Sequence, residues 1–409
     1  MFWINGLKSI THGLMKAVET QPERVAYPLH LISGLTHGNN YPIKIAYVGR
    51  DEMKLVQWSS LILKVLDKRM VGEVPVAGIM KLLTKRYPEC SFLLMEKDLI
   101  GHDNFGMEGF SITYFMQSVI DLSVPIDLVS NRCSPGFANA ARRIRKFKMT
   151  WEIDNTPEAQ HDFYYHMYGP YLSARYGETF QGVSFHNVFS TEIPFELMRV
   201  KSGDDVLAGG VFRIKSGKAY FSFLGVREGK FENVQKGALS ALYYFLYEEL
   251  RRRGFDKLYL GGSPPFLFDS VTKHKIRMTA RIDKDYLYQD QELISLFLLK
   301  NSEGINDFLC RSPLISIDQS GRARGVIWLG NPEGTLEMES LYKEIETVFH
   351  FGLDVCEIVY HKKRSDILTS IQATGPRSIY FVPVQAYLGK RLKYKFAEFI
   401  GRFYITWLK

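Results

Sequence analysis

Cysteine is scarce in this chain: Cys90, Cys133, Cys310 and Cys356 are four among 409 residues, and none sits in a C-x-x-C pair. That excludes a disulfide framework and a zinc knuckle, and it fits a reduced, intracellular protein. Long apolar runs are missing too. The longest uncharged stretch, Val25 to Ile43, is broken by Pro28, Asn39, Asn40 and Pro42 and carries His30 and His37, so it cannot cross a bilayer as a helix. The opening residues MFWINGLKSITHGLMK lack a basic region followed by a continuous apolar core, which argues against a cleaved leader. Repeats of 20–50 residues and low-complexity tracts are absent, which excludes solenoids and long linkers. There is no G-x-S-x-G elbow, P-loop, G-x-G-x-x-G or H-E-x-x-H, so serine hydrolases, NTPases, dinucleotide enzymes and zincins have no support. One short H-x-x-x-D match, His350 to Asp354, has Val355 where a glycine would complete it.

What is present is apolar content. At 46% hydrophobic and 14% aromatic residues the chain can build sizeable cores, and its length corresponds to two to four globular units. Lys and Arg exceed Asp and Glu by 52 − 44 = +8, a mild excess that favours anionic partners. Its densest part is Arg142, Arg143, Ile144, Arg145, Lys146, Phe147, Lys148. Phe147 is the only aromatic among these charges, too little for reading RNA bases, and no DNA partner is expected. A solvated helix face is the ordinary explanation.

From Ile43 the sequence alternates an apolar run (IKIAYVG), a helical pattern (EMKLVQWSSLILKVLDK) and a second apolar run (CSFLLME), an α/β rhythm. The basic cluster marks the end of a first lobe at residue 148. A second lobe, 149–312, opens with strand-like Met149 to Ile153 and a helix over 157–175. ELMRV, VLAGGVFRI, a Ser216-Gly217 turn and KAYFSFLGV then read as a β-meander. After REGKFENVQ comes the amphipathic helix GALSALYYFLYEELRRR, stopped by Gly254, and the strand KLYLGG. Residues 313–409 give ISID, ARGVIWLG, a helix around 336–351, VCEIVYH and SIYFVPV, a further α/β piece that could be a separate cap.

Four pieces, ARRIRKFKMTWEI, FYYHMYGPYLSARYG, NVQKGALSALYYFLYEELRRRGFDKLYLGGSPPF and HKIRMTARI, stand in an order that resembles the GCN5-related acetyltransferase (GNAT) core, specifically the FemAB-like branch. The resemblance covers about half of the chain, best over 130–285. It implies an α/β protein with two GNAT-like lobes in tandem, each with a mixed sheet, plus the C-terminal α/β segment. It further implies an N-acyltransferase that moves an acyl or aminoacyl group from acyl-CoA or aminoacyl-tRNA. The acceptor would be an amine on a cell-envelope precursor, a polysaccharide or a small metabolite, and no metal is expected. Strands 218–226 and 257–260 should part to admit the donor, with Gly237 at a helix start.

Gln235, Lys236, Gly237 and Ala238 lie where a helix begins, and free N–H groups with the positive dipole end can hold an anion there. In the GNAT pattern such a turn grips the coenzyme A pyrophosphate; an ordinary helix start with a packing glycine is the alternative. Gly237→Asp is expected to abolish donor binding at little cost in stability. Lys275 takes the place of the lysine in the FemAB-like Y-K-x-x-[FW]-G motif, with His274, Met278 and Thr279 departing from it, and could clamp an anion or belong to a solvated basic face. For proton transfer the candidates are Asp269 first, then His186 and Tyr168, with His186 equally readable as a packed or surface histidine. Tyr165, Tyr168 and Tyr171 could wall an acceptor groove, although their helical spacing suits core packing.

The C-terminal LGKRLKYKFAEFIGRFYITWLK, from Tyr387 on, can form a basic amphipathic helix, and Phe2, Trp3, Leu7, Ile10 and Leu14 share a helical face. Docking on the core competes with attachment to an anionic inner leaflet, which would suit a lipid-linked acceptor. The expected location is cytoplasmic, with the inner membrane face as the alternative. Two readings compete with an enzyme: a non-catalytic GNAT-like binding module, and a membrane-surface scaffold.

Overall fold

The computed structural model describes residues 25–96, 109–132, 135–176, 182–289, 293–318, 321–329, 338–361, 377–387 and 404–405. The amphipathic face of residues 2–14 lies outside them, as do Cys133 and most of the C-terminal segment.

The chain is α/β, and its described strands form two mixed sheets. The first stretch supplies β1 (Ala26–Thr36), β2 (Pro42–Val48), β3 (Leu63–Pro75), β4 (Phe92–Glu96) and β5 (Phe110–Thr113). The second supplies β6 (Met116–Asp121), β7 (Met149–Ile153), β8 (Phe195–Ser202), β9 (Asp205–Lys215), β10 (Lys218–Val226), β11 (Lys257–Ser263) and β12 (Arg281–Ile282). The third supplies β13 (Leu293–Leu298), β14 (Leu314–Ile317), β15 (Ala323–Leu329), β16 (Val355–Tyr360), β17 (Arg377–Pro383) and β18 (Tyr404–Ile405). The larger sheet runs β18-β17-β16-β15-β14-β5-β13-β4-β2-β1-β3, and the smaller runs β12-β6-β11-β10-β9-β8-β7.

Boundaries at 148 and 312 therefore cut across both sheets. β6 precedes residue 148 yet pairs antiparallel with β11, while β13 precedes 312 yet lies between β4 and β5. The segment after 313 is not a separate cap, because β14 pairs with both β5 and β15 and so extends the larger sheet. The two lobes are interleaved in the sequence rather than laid end to end.

In the smaller sheet local chemistry does what the sequence suggests. Ser216 and Gly217 both have positive φ, 49° and 73°, and they close a two-residue hairpin in which Lys215 faces Lys218. Helix Ala238–Arg252 buries Ala238, Leu242, Leu246 and Leu250, four residues apart, with Phe212, Phe221 and Leu258 in the same core. The expected helix over 157–175 is continuous but not uniform: α over Pro157–Phe163, π over Tyr164–Tyr168, α over Gly169–Tyr176. The π turn lies directly on β10. A Cβ on Gly225 would stand 2.5 Å from the Met167 carbonyl carbon and the Tyr168 nitrogen, so only glycine admits that approach.

The larger sheet corrects one expectation. EMKLVQWSSLILKVLDK is a helix only over Glu52–Ile62, and from Leu63 it becomes β3, paired with β1 from Leu63↔Thr36 to Pro75↔Ala26. Long-range pairing along the whole of β1 overrides the local helical period. At the far side Arg324 of β15 and Glu357 of β16 form a buried ion pair of 2.5 Å. Arg324 also donates to Ser316, the Tyr387 hydroxyl donates to Glu357, and Tyr387 stacks on Phe110. Of the C-terminal segment, Tyr404–Ile405 forms a short strand on β17 rather than part of a helix.

Candidate active site

β10 and β11 run parallel and pair at only three registers, Ala219↔Leu258, Tyr220↔Tyr259 and Phe221↔Leu260. At that point both strands become irregular: β10 shifts against β9 between Phe221 and Phe223, and β11 shifts against β6 between Leu260 and Ser263. Such irregularities bend a strand and increase its twist, so the carboxyl halves of β10 and β11 part. The connection between them ends in helix 238–252, whose N-terminus lies at the carboxyl edge of the parallel pair, where α/β sheets hold ligands.

The turn before that helix carries the four residues singled out from sequence. Gly237 is left-handed, φ 94° and ψ 22°, ending helix Phe231–Lys236 and starting the next with no side-chain cap. Its helix-breaking position is as expected, but its surroundings are not. Arg143, from helix Pro135–Lys146, donates to the Gln235 carbonyl, and its Cδ would lie 2.5 Å from a Cβ on residue 237. Lys236 pairs with Glu232 at 2.8 Å, and Ala238 is buried. A member of the basic cluster thus reaches over the turn. The Gly237→Asp variant is accordingly not neutral. We expect it to lose about 1–2 kcal/mol from left-handed strain alone, with a further loss from displacing Arg143. Urea unfolding of Gly237→Asp beside Gly237→Asn, which tolerates this backbone better, checks the assignment.

Lys275 does not lie on a solvated face. It is 3% exposed, and its ammonium donates to the Gly261 carbonyl, to Ser263 Oγ at 2.7 Å and to the Gly262 carbonyl at 3.5 Å. These acceptors all belong to the diverging end of β11, so Lys275 faces strand oxygens rather than the Gly237 turn. Burial pushes its pKa down to about 7, against the opposing charge of Asp269. Neighbouring His274 is pushed down to about 4 by burial, with Arg175, Arg277 and Lys275 adding to it, and the imidazole is therefore neutral at physiological pH.

Asp269 is a helix cap. Its Oδ1 accepts from the Val271 and Thr272 amides at 2.8 and 3.2 Å, starting helix Ser270–Arg277. Its visible work is to hold the helix that presents Lys275. Tyr168 is buried in the π turn against Phe163, Tyr164 and Phe223, and burial raises its pKa. His186 is exposed on the short helix Phe185–Val188, whose Phe185 packs on Tyr164 and Tyr165. The structure joins Tyr168 to β10 and Lys275 to β11, while His186 lies on the separate short helix Phe185–Val188.

Ser263 belongs to the turn Gly261-Gly262-Ser263-Pro264-Pro265 after the strand KLYL, a kind of turn that borders a ligand crevice at the carboxyl edge of a parallel strand. Arg175 carries no such signal in the sequence. Arg175 donates to Tyr171 Oη at 2.7 Å and to Ser270 Oγ at 2.8 Å, linking the helix on β10 to the helix after β11. An open cavity of about 420 Å³ lies at the end of β10, lined by Pro157, Glu158, His161, Asp162 and His166. Its floor is fixed by the bidentate Arg227–Asp162 pair at 2.6 and 2.8 Å. Among the described residues no group of three His, Cys, Asp or Glu side chains could hold a metal, and no helix is long and apolar enough to cross a membrane.

No family model and no curated protein sequence matches the chain. Solved structures similar to it include L-PGS from Bacillus licheniformis, 12% identical over 70% of this chain and 88% of that one, TM-score 0.29. FemX is 10% identical over 66% and 88%, TM-score 0.34. A GCN5-related N-acetyltransferase from Sphaerobacter thermophilus is 11% identical over 62% and 71%, TM-score 0.29. At such identities and scores the reading of function rests on the chain's own geometry.

Proposed function

We propose that the smaller sheet and its helices form an N-acyltransferase of the GNAT-like, FemAB-like kind. Its donor, an acyl-CoA or aminoacyl-tRNA, would enter between β10 and β11. The observation that carries this reading is that two parallel strands cease to pair after Phe221↔Leu260, where both become irregular, beside an uncapped helix start. Beyond that register the facing edges no longer pair with each other, and the amides of an extended donor can lie between them. Arg143 and the helix start favour an anionic group at the Gly237 turn.

In the reaction the acceptor amine attacks the donor carbonyl, a C–N bond forms, and the C–S or C–O bond to the donor breaks. An acceptor bound as the ammonium first gives one proton to solvent, and the attacking nitrogen loses a second as the C–N bond forms. Lys275, held near a neutral pKa, takes that proton and returns it to the departing sulfur or oxygen. Ser263 accepts a hydrogen bond from Lys275 and keeps its own hydroxyl proton to donate toward the developing oxyanion. The cavity, where Asp162 is taken up by Arg227 and Glu158 remains beside it, suits a cationic amine on a lipid-linked, polysaccharide or small-molecule acceptor. An anionic membrane surface could present such an acceptor.

Crowding of Gly237 by Arg143 favours a second reading, a non-catalytic binding module with this turn closed. A donor panel separates the two. Acyl-CoA species and aminoacyl-tRNA are each tested for a rise in Tm, because a ligand bound only by the folded state stabilises it, and for transfer to a polyamine. Binding with transfer supports the enzyme, and binding without transfer supports the module. If no donor raises Tm, both fail.

A further inference from the structure

β3 extends along the outer side of β1 with its side chains in water: every residue from Lys64 to Val71 is exposed. Four of them are large and apolar, Val65 at 44%, Leu66 at 70%, Met70 at 56% and Val71 at 40% exposure. β3 is also the last strand of the larger sheet and pairs only with β1, so among the described residues its other edge carries backbone groups without a partner strand. A long apolar edge of this kind is a template for another strand.

The order of its residues says which strand fits. Val65-Leu66-Asp67-Lys68-Arg69-Met70-Val71 has the same chemical character in both directions about Lys68, except that the acid on one side answers the base on the other. We propose that two copies of this chain pair β3 to β3, antiparallel, about a two-fold axis at Lys68. Each Val65 then faces the second copy's Val71, each Leu66 its Met70 and each Asp67 its Arg69. Apolar and opposite-charge pairs across strands stabilise a sheet, and a two-fold interface uses every pair twice. Asp67 and Arg69 lie in the regular stretch Asp67–Met70, since the register against β1 shifts on either side of it, between Val65 and Asp67 and between Met70 and Gly72, with bulges at Leu66 and Val71 inside the strand. One like-charge contact remains, Lys68 with its own copy. A foreign acidic or basic peptide would match only half of this pattern, and a second copy matches all of it.

The test uses the full chain in sedimentation equilibrium. Wild type is expected to be a dimer that dissociates on dilution. Asp67→Arg places two arginines opposite each other, Arg69→Asp two aspartates, and each is expected to weaken the dimer at least ~10-fold, a change of about 1.4 kcal/mol. The double exchange Asp67→Arg with Arg69→Asp restores the pairs and is expected to restore the dimer. Lys68→Cys, on the axis, should form a disulfide-linked dimer under mild oxidant, whereas Asp67→Cys should not exceed the background of wild type, whose exposed Cys310 sets that background. All these positions are exposed, and unchanged circular dichroism confirms folding of each variant. A wild type that stays monomeric at every concentration, single exchanges without effect, or a double exchange that fails to rescue would each overturn the proposal.

Discussion

Replacing Lys275 by methionine is expected to lower the rate of acyl transfer by at least ~100-fold, the scale of a lost proton-transfer group, and to flatten the dependence of stability on pH. The second effect follows from linkage. The unfolded chain holds this proton up to the ordinary lysine value of 10.5, and the folded protein releases it near 7. Between those values the unfolded state binds more protons, so stability rises with pH through this window and is flat below it. The full span corresponds to about 5 kcal/mol at ~1.4 kcal/mol per tenfold change, and the three oxygen acceptors on Lys275 reduce it. Lys275→Met should remove the slope, while its absolute stability moves less because Gly261, Gly262 and Ser263 lose their donor. Lys275→Arg keeps a cation that cannot release its proton and should stay inactive. Urea unfolding of wild type and Lys275→Met from pH 6 to 10 reads the slope. A wild-type curve without it would show that Lys275 titrates normally.

The largest expected loss of stability is at Glu357. Its carboxylate is buried with Arg324 at 2.5 Å and receives the Tyr387 hydroxyl. Glu357→Gln removes the charge and leaves the Arg324 guanidinium buried without its counter-ion, which should cost about 3–5 kcal/mol. Arg324→Met with Glu357→Leu should recover most of that, since a well-packed apolar pair can replace a buried ion pair without net loss. The comparison of single and double variants in urea measures the coupling directly. Donor binding, far off in the smaller sheet, should be unchanged in the double variant. Equal losses in the single and double variants would mean that packing, not charge, holds this region.

What the sequence determined by itself is what short-range physics controls. The Ser216-Gly217 hairpin, the buried stripe of helix 238–252, the positive φ of Gly237 and the strand after Gly254 all follow from turn chemistry and a helical period read within one segment. The splay of β10 and β11 could be expected because the helix start lies between them in the chain. The tertiary structure decided whatever depends on a distant partner. The apolar character of FSITYFMQSVIDL fits a strand in either sheet, and only pairing with β11 puts its second half in the smaller one. LKVLDK keeps a helical spacing, yet β1 draws it into β3 through pairs 27–36 residues apart. Lys275 looks solvated beside Lys273, His274 and Arg277, and the packing of its helix against β11 turns it inward, where burial lowers its pKa. Asp269 looked like a free carboxylate until the helix it starts claimed its oxygen. Arg143 and Gly237 are 94 residues apart, and nothing local ties a cation of one helix to the first turn of another. A strand or a charge carries no local mark of the group it will meet, because pairing energy is realised only after the chain has closed the loop between them.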